Sequence, residues 1–272
     1  MNEPVRRVRF RKCDVFLRST PRELFGSDRA ALAQVLFMGE YDELLAEVES
    51  GDCVLDSGAN IGCFAIPAAI KAGGLGKVIA VEPDPENAKM LRRNIQANGL
   101  KNVIVEERAL MGSLSSTVRF SPGGVTAKVD VAGSIDVQTT TLSDLLRRHS
   151  LRSFSVIKID IEGSELSLLE DPESRDVLCK SRSVAVEVHS RDAEHRFSHV
   201  LQASGASVRG PRRELDYVGR LMPRILSHPF LTARLYGTEM ISVAVRLMRE
   251  VARRRTREEV GGYEARIVSA FR

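Results

Sequence analysis

Acidic side chains and one histidine stand where apolar runs end. Asp56 follows Val54-Leu55, Glu82 follows Val78-Ile79-Ala80-Val81, Asp160 and Glu162 close Ile157-Lys158-Ile159, and Glu187 and His189 flank Val188. Strands buried on both faces read as continuous apolar runs, and in open α/β sheets ligands meet their carboxyl ends. A carboxylate at such a tip can accept hydrogen bonds from a ribose diol. A carboxylate or imidazole there can take the proton of a hydroxyl, and histidine, with a reference pKa of about 6.5, is the readiest base at neutral pH. Lys158, Asp160 and Glu162 put three charges within five residues of an otherwise apolar stretch. Such charges are costly unless paired or functional, so a structural Lys–carboxylate network competes with a catalytic use of Lys158.

The run Asp56-Ser57-Gly58-Ala59-Asn60-Ile61-Gly62 joins the first of these strands to an Ala-rich segment, 64–70. It reads as a buried strand turning sharply into a helix, with glycines where a Cβ would obstruct. Glu82 lies 20 residues beyond Gly62, the spacing of an acid that grips ribose. Two ribose-bearing ligands fit, a dinucleotide or S-adenosylmethionine. The dinucleotide fingerprint G-x-G-x-x-G fails because Asn60 occupies the second glycine position.

Four motifs occur in order: Asp56 to Gly62, Val81-Glu82-Pro83-Asp84-Pro85, Ile157 to Glu165, and Val186-Glu187-Val188-His189. Together they resemble the FkbM family of methyltransferases over residues 40 to 205. The resemblance implies an α/β, Rossmann-like fold with a seven-stranded, mostly parallel sheet, helices on both faces and the last strand antiparallel. It implies S-adenosylmethionine as cofactor and O-methylation of a hydroxyl on a sugar, glycolipid or secondary metabolite. The cofactor-binding residues expected are Asp56, Gly58, Asn60, Gly62, Glu82, Pro83, Glu107 and Asp160. Glu107 substitutes for the acid that many class I methyltransferases place where Arg108 stands. Asn60 and Asp84 are equally explained as helix caps.

Methyl transfer is an in-line displacement in which the protein mainly positions the reactants and excludes water. Asp160, His189, Glu187 and Lys158 are the residues expected to serve it. No metal is assigned; the alternative is a divalent site of Asp160, Glu187 and His189, which nothing in the spacing demands. His195 and His199, four apart on an expected helix, read as a wet face beside Arg191 and Arg196.

The elements that must position these groups follow from periodicity. Residues 5–17 alternate as short strands or a hairpin and 28–48 suit a helical cap. Strands are expected at 53–56, 77–82, 102–106, 154–160, 183–188 and 206–208, and helices at 61–72, 85–98, 141–148, 163–170 and 192–204. Residues 115–140 read as a β-excursion, and 263–270 as an edge strand. The organisation is then a cap (1–48), a cofactor-binding core (49–210), an Arg-rich helical insertion (211–259) and a final edge strand (260–272).

At 272 residues and 43% hydrophobic content the chain can bury one large core. The net charge of +4 does not by itself point to nucleic acid. Eleven Arg against six acids over 211–259 localise an excess of five positive charges. This insertion is expected to cover the acceptor site or to form a homodimer contact, and its arginines suit an anionic acceptor. Docking of RNA or protein there is the alternative, disfavoured by 5% aromatic content and no Trp. A non-catalytic cofactor-binding module and a nicotinamide oxidoreductase are weaker readings. The four cysteines lack CxxC spacing, so neither disulfides nor structural zinc is expected. No apolar leader or spanning stretch is seen, and a cytoplasmic location is expected.

Overall fold

The computed structural model describes residues 5–10, 12–18, 28–114, 117–122, 128–129, 132–212, 227 and 266–272. Strands β1 (Val5–Phe10) and β2 (Cys13–Arg18) form the expected antiparallel hairpin. The helical cap expected over 28–48 comes in three pieces: α1 (Asp28–Ala31), a π-helical turn over Leu32–Phe37, and α2 (Asp42–Ala46). Gly39, at φ +70°, takes the chain out of helical geometry between them.

The core alternates strands and helices: β3 (Cys53–Ser57), α3 (Ala65–Ala72), β4 (Lys77–Val81), α4 (Pro85–Ala97) and β5 (Val103–Glu106). Helix α3 starts later than residue 61, because Asn60 and Gly62 both have positive φ and the chain makes turns to Phe64 before it coils. Asp84 caps α4, accepting from Glu86 N at 2.9 Å, with Pro85 in the first turn.

The β-excursion comprises β6 (Ala109–Leu110), β7 (Val118–Ser121), β8 (Lys128–Val129), β9 (Ile135–Val137) and β10 (Thr139–Thr140). Strands β8-β7-β9 form a small antiparallel sheet over Phe120, and β6 pairs with β10. Then come α5 (Leu142–Arg148), β11 (Val156–Ile159), α6 (Glu165–Glu170), α7 (Pro172–Lys180), β12 (Ser183–Val188), α8 (Arg191–Ala203), β13 (Ser207–Arg212) and β14 (Arg266–Phe271). Helix α7 is absent from the sequence-based expectation. Most of the 211–259 insertion, and the alternation expected at 263–265, lie outside the described residues.

The main sheet runs β13-β14-β12-β11-β3-β4-β5, with β14 antiparallel to both neighbours and the rest parallel. From β3 the chain winds outward through β4 to β5, then returns to lay β11 on the other side of β3. That reversal opens a crevice at the carboxyl ends of β3 and β11.

Alternate strand residues face opposite layers. Leu55, Ile79, Ile157 and Val184 pack with Leu142, Leu168 and Phe197 of the α5–α8 layer. Val54, Val78, Val156 and Ala185 pack with Ala65, Ala68, Ala69 and Ala72 of α3 and with Leu91 of α4. The small α3 side chains let that helix lie close to the sheet. Asp56 and Lys158 share this second face, near Tyr41 and Phe64. No helix among the described residues is long and apolar enough to cross a membrane.

The β1–β2 hairpin is fastened to α4 by two side-chain amides. Asn94 accepts from Phe16 N at 2.7 Å and donates to Ile61 O at 2.9 Å. Asn98 accepts from Asp14 N at 2.8 Å and donates to Asp14 O at 2.7 Å. The hairpin thereby covers Ile61 in the loop after β3.

Candidate active site

The loop after β3 is pinned to the strands beside it. Gly58 N and Ala59 N donate to Val81 O at the tip of β4, both at 3.0 Å, and Asp160 N donates to Ser57 O at 3.1 Å. Gly58 has φ +73°, and a Cβ there would stand 1.8 Å from the Asp160 carbonyl oxygen. Gly62 has φ +95°, and its Cβ would meet Leu91 Cδ1 at 2.7 Å. The glycines are thus required by strand and helix packing around the loop.

Lys158 ties the crevice from beneath. Its Nζ donates to Gly58 O at 2.8 Å, lies 3.4 Å from Asp56 Oδ1 and 3.5 Å from Asp160 Oδ2, and sits 5.4 Å above the Tyr41 ring. Burial works against its charge, but Asp56, Asp160 and Glu187 outweigh it and raise the ammonium pKa. Expected among the transfer residues, Lys158 is only 3% exposed and organises the tips of β3 and β11. Asp56 is fully buried. Burial pushes its carboxyl up against the opposing pull of Lys158, and neither of its oxygens completes a hydrogen bond. A buried carboxylate with open lone pairs beside a glycine loop fits a cationic ligand.

Glu82 lies at the tip of β4, 4% exposed. Its Oε2 accepts from Asn60 N at 2.7 Å, and its Oε1 from Asp84 N at 2.9 Å and Asn87 Nδ2 at 3.4 Å. Asn60 does not cap α3, whose N-cap residue is Phe64; its Oδ1 accepts from Ile61 N at 2.8 Å. Pro83 is half-buried between Glu82 and the α4 cap. Glu107 is not brought to the loop: it is half-exposed and paired with Arg92 of α4.

Burial raises the Glu82 carboxyl to about 7, against the opposing hydrogen bonds from Asp84 N, Asn60 N and Asn87. The charged groups facing it are Asp84 and, across Asn87, Arg18 of β2, which donates to Asn87 Oδ1 at 2.6 Å. A carboxyl raised on folding contributes its stability below the ordinary value of 4.5 and loses it as pH rises through about 7. The loss is on the order of 3 kcal/mol. Without cofactor, the unfolding free energy of the wild type should therefore fall more steeply from pH 5 to pH 8 than that of Glu82→Ala. Urea unfolding across that range checks this, and parallel profiles would contradict the burial of a titrating Glu82.

The second half of the site lies at the ends of β11 and β12. His189 Nδ1 is 2.8 Å from Glu165 Oε1, and Nε2 is 3.4 Å from Glu162 Oε2. Burial lowers the imidazole pKa, but the hydrogen bond and charge of Glu165 outweigh it and raise it. Burial and then the nearby Asp160 push Glu162 up to about 7. Glu187 is pushed well up by burial and by Asp160, Glu40 and Glu162, and its Oε2 accepts from Tyr41 OH at 3.2 Å. Asp160, Glu162 and His189 have ligand atoms within 4.8 Å of one another. The metal set read from sequence used Glu187, which the structure gives instead to Tyr41. Tyr41 and Glu165 had no expected role. An acid at Glu162 and another three residues on was visible, but the Tyr41 contact spans 146 residues.

His195 and His199 line a separate open hollow with Arg175 and Arg196, between α7 and α8.

A family model described as the Methyltransferase FkbM domain matches residues 56–218, which takes in both halves of this crevice. The chain belongs to the FkbM methyltransferase family. Its cofactor is S-adenosylmethionine. Hexuronic acid methyltransferase AglP of Haloferax volcanii is 30% identical over 151 residues, 54% of this chain and 60% of that protein. The 31-O-demethyl-FK506 methyltransferase FkbM of Streptomyces tacrolimicus is 28% identical over 181 residues, 54% of this chain and 68% of that protein. The chain thus spans about 60% of the length of the first relative. Among solved structures, Aeropyrum pernix fibrillarin with bound S-adenosyl-L-methionine superposes with a TM-score of 0.38 at 14% identity, covering 61% of each chain.

Proposed function

We propose that this FkbM-family chain methylates a hydroxyl oxygen of a sugar, glycolipid or secondary metabolite. The observation that carries the reading is the meeting, at the β3–β11 crevice, of the glycine loop with the Asp160–Glu162–Glu187–His189 cluster. S-adenosylmethionine supplies an activated methyl group: its carbon–sulfur bond breaks with the electron pair left on sulfur while the carbon–oxygen bond to the acceptor forms. The displaced hydroxyl proton goes to the carboxylate–imidazole cluster, so atoms and charge balance as methyl ether, S-adenosylhomocysteine and a proton.

Each residue then has a part. Asp56, fully buried beside Lys158, fixes the glycine loop that takes the cationic methionine portion. Gly58, Asn60 and Gly62 shape the loop, and Pro83 and Asp84 border the adenine. Glu82 Oε2 keeps a lone pair for one ribose hydroxyl, and the long Asn87 contact on Oε1, at 3.4 Å, is the one a second hydroxyl replaces. Asp160 sits between donor and acceptor. Glu187 and His189 face the acceptor, with Tyr41 and Glu165 holding them.

The substrate class is supported by what the relatives' names state, a hexuronic acid for one and a 31-O-demethylated macrocycle for the other. An anionic acceptor agrees with the Arg excess of 211–259.

The donor half is tested at Glu82. A hydrogen bond to a charged group contributes about 1.5–3 kcal/mol. Glu82→Ala should weaken S-adenosylmethionine binding roughly tenfold or more with the fold retained by circular dichroism. Unchanged affinity by calorimetry would sink the assignment, as would tight NAD binding by the wild type.

A further inference from the structure

His189 is held from behind by a buried glutamate whose nearer oxygen already accepts a backbone hydrogen bond. Glu165 is 2% exposed, and its Oε1 accepts from Gly163 N at 2.8 Å as well as facing His189 Nδ1 at 2.8 Å. Nδ1 therefore carries a hydrogen, and in the neutral ring the lone pair lies on Nε2. Nε2 looks onto Glu162 Oε2 at 3.4 Å, which is another acceptor. Two acceptors do not hold one another, so a hydrogen on the ring or on the Glu162 carboxyl, or a cation, belongs between them.

The surroundings favour the cation. Asp160, Glu162, Glu165 and Glu187 converge on this end of the crevice. Among the described residues, the ammonium facing them is Lys158, already shared between Asp56 and Asp160. A partly buried imidazole backed by a carboxylate is the arrangement that fixes the tautomer and raises the basicity of a metal-ligating histidine. The ligand atoms of Asp160, Glu162 and His189, all within 4.8 Å of one another, come from three different positions around one space.

We propose that Asp160, Glu162 and His189 Nε2 hold one divalent cation beside the methyl acceptor, with Glu165 orienting the imidazole from behind. Two carboxylates and an imidazole suit a hard to borderline ion. The proposal rests on the methyl-transfer reading for its use, not for its geometry. A cation there acidifies an approaching hydroxyl. His189 is then a ligand and not the group that takes the proton.

Manganese(II) titrated into the full chain with S-adenosylmethionine present, and followed by the resonance signal of free manganese and by calorimetry, should show one bound ion per chain. The Asp160→Asn, Glu162→Gln double variant should lose that binding. Glu165→Gln keeps all three ligands but loosens the ring, and should weaken manganese binding about 10–100-fold while cofactor affinity stays unchanged. Should Glu165→Gln fail to fold, Glu162→Gln alone, at a partly exposed position, carries the same test with a loss of tenfold or more. A wild type that binds cofactor one-to-one yet leaves manganese free overturns the proposal and leaves the methyltransferase reading standing. Manganese binding undiminished in the double variant overturns it too. Ligand-dependent manganese binding by a chain that does not bind S-adenosylmethionine supports the cation site and overturns the donor reading instead.

Discussion

Gly58→Ala should produce a chain that has lost cofactor binding and several kcal/mol of stability. The position sits at φ +73°, where an L side chain costs about 1–2 kcal/mol by itself. Its Cβ would stand 1.8 Å from the Asp160 carbonyl, which is backbone and has no rotamer to move into. Relief requires the tips of β3 and β11 to separate. That breaks the Asp160 N to Ser57 O bond of 3.1 Å and the Lys158 bridge to Gly58 O of 2.8 Å. A combined loss on the order of 3–5 kcal/mol by urea unfolding is expected, from backbone strain, overpacking and lost hydrogen bonds. Gly62→Ala is the internal comparison, since its Cβ meets the mobile end of Leu91 and the cost should be smaller. Equal effects at the two positions, or cofactor affinity untouched by Gly58→Ala, would mean that the loop does not rest on β11 as described.

His189→Ala should lower methyl transfer by about 10²–10⁴ while cofactor affinity changes little. The ring is held by Glu165 and Glu162 at the ends of β11 and β12, away from Glu82 at the tip of β4. Single-turnover transfer from labelled S-adenosylmethionine, with an acceptor identified by labelling in extracts, measures the first quantity and calorimetry the second. The loss is expected whether the imidazole takes a proton or holds a cation. Intact turnover would place proton removal elsewhere.

The sequence makes the strand tips of this molecule readable because each apolar run ends in an ionisable residue. Asp56, Glu82, Asp160 and His189 all fall where that pattern puts them. Helix α4 is legible from Asp84-Pro85, a cap followed by a proline in the first turn. Asp171-Pro172 carries the same signal for α7, yet the preceding apolar residues also suit one helix ending near 170. Asp171 closes α6 and caps α7 at once, accepting from Ser174 N at 2.9 Å, so two short helices meet with no loop between them to announce the break. What sequence spacing does not reveal is which side chain stands behind another. Glu165 behind His189 and Tyr41 against Glu187 are consequences of sheet order. Glu107 shows the converse, since a suitable residue type at a suitable position is drawn away by Arg92, a neighbour only the folded helix supplies.

Tyr41 reaches Glu187 from the segment before β3, upstream of residue 56, where the match to the shared FkbM domain begins. One ring therefore touches both halves of the crevice: its hydroxyl donates to Glu187, and Lys158, which holds Gly58 O, lies 5.4 Å over its face. Exchanging the short stretch around α2 should thus be felt at the Lys158 bridge as well as at Glu187, so from this segment the two ends of the crevice change together.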